Sequence, residues 1–165
     1  MIGLDAFNEG LLAFLRSSPT PWHAVASLAA LLSERGFREL EESEPWTTAP
    51  GGRYFVRRNG SSLVAFVRGR TPPEEGGLRL VGAHTDSPCL KPKPRPELRR
   101  NGYLQLGVEV YGGALLNPWF DRELSLAGRL SYAGPNGVGH ALVAFDAPIA
   151  IIPSLAIHLD RGVNE

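Results

Sequence analysis

Apolar residues recur along the first forty positions at the spacing of a helix face. Leu4, Phe7, Leu11, Phe14 and Leu15 form one such stripe, which predicts an amphipathic first helix ending at Ser17-Ser18-Pro19. Thr20-Pro21 restarts a helix, with Thr20 as N-cap and Pro21 at the first helical position, where a missing N–H costs nothing. Val25, Leu28, Ala29 and Leu32 supply its apolar stripe, and Gly36 suits the residue just beyond its C-terminus.

The period then changes from helix to strand. Runs at Tyr54–Arg58 and Ser61–Val67 flank Asn59-Gly60, a pair that readily adopts the positive φ angles of a tight hairpin turn. A loop rich in Pro, Glu and Gly over 71–77 follows. Leu78–Ala83 is apolar on consecutive positions rather than alternating, so it reads as a strand buried on both faces. At Lys91 the composition shifts. Lys91-Pro92-Lys93-Pro94-Arg95-Pro96 excludes helix and central strand, because three prolines remove donors, and reads as an exposed, extended connector. Beyond it the pattern is all-β: Tyr103–Tyr111 alternates loosely, and Leu124–Tyr132 and Val138–Phe145 flank Ala133-Gly134-Pro135-Asn136-Gly137 as a second hairpin. A domain boundary is expected near residues 89–96.

Composition narrows the function classes. The 165 residues are 43% hydrophobic and 21% charged, a globular profile, and 17 Lys plus Arg balance 17 Asp plus Glu. That balance exerts no general pull on nucleic acid or anionic membrane. The cations of Lys91–Arg100 have no aromatic residue among them for base stacking, so they read as solvated surface and neither nucleic acid nor membrane is an expected partner. Cys89 is the only cysteine, which excludes an intrachain disulfide. Asp5 and Glu9 interrupt the N-terminal apolar stretch, there is no basic n-region, and no apolar run reaches about 18 residues. A cytoplasmic protein is expected.

The chemistry concentrates in Val81-Gly82-Ala83-His84-Thr85-Asp86-Ser87-Pro88. An imidazole at the carboxyl end of a buried strand is well placed to meet a ligand. A carboxylate two residues on can fix its tautomer and raise its basicity toward zinc. From the residues alone the signal is weak, because a lone histidine at a strand end is more often a hydrogen-bonded structural residue than a metal ligand. His23 reads as structural, and His140, mid-strand in the second hairpin, is given no function; His158, after Leu155-Ala156-Ile157, reads as a partly buried structural histidine. Cys89 reads as a packing residue. Trp119-Phe120 beside Asp121-Arg122 suits either a subunit interface or a core.

The run Leu80–Pro88 with Leu90-Lys91-Pro92 resembles the first metal-ligand motif of the M18, or aspartyl aminopeptidase, family of zinc aminopeptidases. The likeness continues in order through Ser18–Val25, Arg57–Phe66, Gly107–Gly113, Asn117–Leu124, Ile152–Leu159 and Val163-Asn164-Glu165. It implies an α/β fold: part of a three-layer α/β/α catalytic domain over 1–90, then the start of a β-rich inserted oligomerisation domain over 91–165. It also implies a two-zinc site that removes N-terminal residues, acidic ones in eukaryotic members, from peptide substrates, within a homo-oligomer. Carried over by residue, His84 is a zinc ligand and Asp86 the carboxylate that orients it. His158 is the histidine that reaches a partner subunit's active site. The family's remaining ligands and its glutamate base belong to sequence beyond Glu165. The chain alone is therefore expected to be inactive, and the competing reading is a non-catalytic fragment that folds and associates.

Overall fold

A computed structural model describes residues 3–162; the Val163-Asn164-Glu165 part of the resemblance lies outside them. The chain forms two compact units. One takes in the chain up to Asp86 together with Ala127–Ala144, the other Ser87–Leu126 together with the chain from Phe145 onward.

In the first unit, helix α1 (Leu4–Ser17) is followed by α2 (Pro21–Glu34). Both fall where the apolar spacing predicts. Thr20 caps α2 by accepting from the His23 amide, and Pro21 opens the helix. At the other end Gly36, with φ of 77°, makes the left-handed turn. Its N–H bonds to Ser33 O at 3.0 Å and that of Phe37 to Leu32 O at 2.9 Å, the paired bonds of a Schellman ending. A three-stranded sheet follows in the order β1 (Arg38–Glu39), β2 (Arg53–Arg58), β3 (Ser62–Val67). β1 runs parallel to β2, and β3 antiparallel to it. The β2–β3 turn is the expected one: Asn59 and Gly60 have φ of 53° and 65°, and Ser61 N donates to Arg58 O at 3.2 Å.

The core lies where α2 meets this sheet. Ala24, Val25, Ala29, Leu40, Tyr54 and Phe55 are buried, Phe55 completely. On the sheet's flank, Tyr54 and Trp46 each pack on Phe66, and the Tyr54 hydroxyl accepts from Ala49 N at 2.8 Å. Arg57 reaches Glu39 with two parallel hydrogen bonds of 2.6 and 3.0 Å, tying β2 to β1. After one helical turn, α3 (Pro73–Gly76), within the expected loop, comes a correction. Leu78–Ala83 is not a buried strand. It has no ladder partner, Val81 is fully exposed, and Leu80 is 87% exposed. A strand with apolar side chains on both faces needs strands at its edges and helices on its faces, and none of the described residues supplies them.

Strands β6 (Ala127–Gly134) and β7 (Gly137–Ala144) form the second expected hairpin, in the first unit, with Pro135-Asn136 at its turn. The hairpin is held by Arg129. Its guanidinium lies 4.9 Å from the centre of the Trp22 ring and donates to Asn59 O at 3.0 Å.

In the second unit, β4 (Cys89–Arg100) pairs antiparallel with β5 (Tyr103–Tyr111). The proline stretch is thus a strand, not the free connector its composition suggests. Both strands of a two-stranded ribbon are edges, so prolines can face away from the ladder, and the register shifts between Pro92 and Glu97. Asn101-Gly102, with φ of 52° and 81°, closes the ribbon. A 3-10 turn at Asn117–Trp119 leads to single bridges, Phe120 to Ile152 and Leu124 to Ala150. Among the described residues none of this unit is buried, and none of the chain's helices is long and apolar enough to cross a membrane.

A candidate metal-ligand pair

His84, Thr85 and Asp86 sit on an extended loop between α3 and β4. The expected neighbour relation of His84 and Asp86 is present: His84 Nδ1 is 3.1 Å from Asp86 Oδ1. A carboxylate at Nδ1 favours the tautomer with its proton there, which leaves the Nε2 lone pair for another partner. The His84 side chain is 89% exposed and that of Asp86 38%, so the imidazole projects from a carboxylate set closer to the protein. The expected location of this pair at the end of a central buried strand is corrected along with the strand itself: His84 lies on an exposed loop.

That loop is nevertheless attached. Thr85, half-buried, donates its hydroxyl to Ser61 O at 2.8 Å, so the middle residue of the His-Thr-Asp run is fixed to the β2–β3 turn. Sequence reading did not single out Thr85, because the bond joins residues 24 apart and has no local signal.

The other histidines have separate surroundings. His23 lies 2.7 Å through Nδ1 from the hydroxyl of its capping Thr20, and His140 is 2.9 Å from Ser131, its cross-strand partner on the β6–β7 hairpin. The contact of His23 with its own capping residue suits the structural role expected of it. His158 is in a turn of the second unit and exposed, not partly buried as the apolar run Leu155-Ala156-Ile157 before it suggests. Cys89 is half-buried at the start of β4 with a free thiol. Among the described residues no three His, Cys, Asp or Glu side chains converge on one point that could hold a metal.

The profile described as aminopeptidase I zinc metalloprotease (M18) matches residues 14–165. The chain belongs to the M18 aminopeptidase family. It is 60% identical over 161 residues, 98% of its length, to a probable M18 family aminopeptidase 2 of Pseudomonas fluorescens, and 62% identical over 158 residues, 96% of its length, to one of Azotobacter vinelandii. These alignments take in 38% and 37% of the relatives, so the chain spans little more than a third of the M18 proteins it matches. Among solved structures, mApe1 of Chaetomium thermophilum superposes with a TM-score of 0.86 at 37% identity, covering 93% of this chain and 36% of that one. The mApe1 dodecamer of S. cerevisiae gives 0.82 at 33% identity, covering 92% and 36%. The α/β character expected of a partial M18 domain is therefore the fold of the chain.

The family is one of zinc enzymes, and the donor set can be tested for fit. An imidazole with a carboxylate on Nδ1 is a common zinc-ligand arrangement, and His84 with Asp86 has that geometry. A catalytic zinc site uses about three protein ligands. His84 and Asp86 could supply one such ligand and the carboxylate that orients it.

Proposed function

We propose that this chain contributes one zinc ligand, His84, and its orienting carboxylate, Asp86, to the two-metal site of an aminopeptidase. The observation that carries the reading is the 3.1 Å contact between His84 Nδ1 and Asp86 Oδ1 on an exposed loop. Zinc, when bound, supplies Lewis-acid polarisation of the peptide carbonyl. The part of this chain is to present the Nε2 lone pair and hold its direction through Asp86. The other ligands and the general base come from outside the described residues. The substrates are peptides with a free N-terminus, acidic N-terminal residues being favoured, and the setting is cytoplasmic. Residues 1–90 belong to the catalytic domain and 91–165 to an inserted oligomerisation domain, from which His158 reaches the active site of a partner in a homo-oligomer.

A zinc titration followed at the His84 ring nitrogens, with a peptidase assay on aspartyl and glutamyl anilides, tests the reading. The expected result is a zinc-dependent shift at Nε2 of His84, larger than at the rings of His23 and His140, with no turnover by the 165-residue chain. Zinc-dependent turnover lost in His84→Ala would overturn the assignment of the remaining ligands to other sequence. No response of Nε2 to zinc would overturn the ligand role.

A second reading has an observation of its own. Leu4, Phe7, Leu11, Leu12 and Leu15 of α1 are all exposed, by 47% or more, and such a face favours association with further protein surface. Folding and association, without catalysis, are then what the chain does by itself.

A further inference from the structure

We propose that Thr85 is a positioning residue for His84, acting through its hydroxyl bond to the β2–β3 turn. The proposal rests on the zinc-ligand reading of His84 for its functional meaning, but its geometry is independent of that reading.

Among the described residues, 78–83 lack a ladder that would hold the His84 loop from its N-terminal side. A loop without such a ladder loses direction at its side chains unless something else fixes it. The bond from Thr85 Oγ1 to Ser61 O is a side-chain link that ties the loop to the β2–β3 hairpin. Its acceptor is well chosen. Ser61 closes a turn whose Asn59 and Gly60 are both in the left-handed region, and that turn caps a ladder of paired residues from Arg53↔Val67 to Arg58↔Ser62. The same turn is gripped by Arg129, which donates to Asn59 O. The Ser61 carbonyl is therefore held on two sides before Thr85 reaches it.

The consequence falls on the residues either side of Thr85. His84 and Asp86 flank it in sequence, and the 3.1 Å contact between them spans the anchored residue. Pinning the middle residue limits the backbone rotations that would carry His84 Nδ1 away from Asp86. A donor hydroxyl is the property required. Serine retains it, and valine keeps the branched shape while removing it. The role is distinct from that of Asp86, which touches the imidazole itself.

The test compares Thr85→Val and Thr85→Ser with the wild-type chain, reading His84 ring nitrogens and backbone order parameters at 84–86 by NMR without metal. We expect Thr85→Val to shift the His84 tautomer equilibrium away from Nδ1–H by about threefold, the size of an ordinary hydrogen bond's contribution. The order parameters at 84–86 should fall with it, and Thr85→Ser should restore both. Unchanged tautomer and order in a normally folded Thr85→Val chain would overturn the proposal. If valine disturbs folding, Thr85→Ser against Thr85→Ala in chains that melt alike replaces the comparison, and no difference between them overturns it equally. Failure of the ligand reading looks different: the tautomer responds to Thr85→Val while zinc moves nothing at wild-type His84.

Discussion

The Arg129 guanidinium stands 4.9 Å from the centre of the Trp22 indole and donates to the carbonyl of Asn59 at 3.0 Å. One side chain of β6 thus joins the start of α2 to the turn of the β2–β3 hairpin, both far from it in sequence.

Removing that side chain should loosen the β6–β7 hairpin. A cation over an indole contributes about 0.5–1 kcal/mol when partly exposed, and the carbonyl bond adds a similar amount. Arg129→Ala is expected to lower stability by about 1–2 kcal/mol in urea denaturation. Arg129→Lys should recover part of it, since lysine keeps the charge but not the planar fork. Equal stabilities for all three would mean the hairpin is not held through Trp22.

Phe55 should be the most sensitive position of the first unit. It is wholly buried between α2 and β1–β3, in a core with few other buried side chains, including Val25 and Tyr54. Phe→Ala in such a setting costs about 3–5 kcal/mol, a large share of the stability of a small domain. Phe55→Ala is expected to abolish cooperative thermal melting, monitored by near-ultraviolet circular dichroism, while Phe55→Leu retains it with a lower Tm.

How far the sequence foretold this fold depended on how local each cause was. The Thr20-Pro21 start of α2, its Gly36 ending and the Asn59-Gly60 turn each depend on a few adjacent residues, and each stands where expected. The ribbon of β4 and β5 was equally marked, by Asn101-Gly102, yet Pro92, Pro94 and Pro96 masked one of its strands. Proline excludes a central strand but not an edge. The strand expected at Leu78–Ala83 failed for the opposite reason: its pattern calls for neighbours on every side, and a strand exists only with them. At the candidate site, the two-residue spacing of His84 and Asp86 made their contact legible. The Thr85 to Ser61 bond was not, since nothing near Thr85 in sequence announces its acceptor.

In the second unit, Asp121 is expected to set an acid-side dependence. The hydroxyl and then the backbone N–H of Ser154 donate to its carboxylate and hold its pKa below the ordinary aspartate value. Because the folded pKa is depressed, the stabilisation is fully present above the unfolded value of about 4 and is lost as pH falls through the folded one. Lowering the pH below about 4 should therefore release the Ser154 amide, seen as an upfield shift and faster exchange. Asp121→Asn should remove this pH dependence at Ser154 while leaving the first unit's spectrum unchanged. A Ser154 amide insensitive to acid in the wild-type chain would show that the carboxylate is not what holds it.

Exposed apolar surface should govern behaviour in solution. Leu80 and Val81 project fully or nearly so from a segment with no ladder partner, and Tyr103, Leu104 and Val110 on β5 and Leu130, Tyr132 and Val138 on the β6–β7 hairpin are each more than half exposed. Apolar residues on unpaired extended backbone recruit other strands, because pairing satisfies the backbone and buries the side chains together. The 165-residue chain is expected to self-associate with rising concentration, with sedimentation velocity showing species larger than the monomer at neutral pH. If the unpaired segment dominates, Leu80→Lys with Val81→Glu should reduce association without altering the melt of the Phe55 core. If the β5 ribbon or the β6–β7 hairpin dominates, that double variant should associate like the wild type, and Tyr103→Lys or Val138→Lys should reduce it instead. A chain that stays monomeric at all concentrations would show that these faces do not recruit one another.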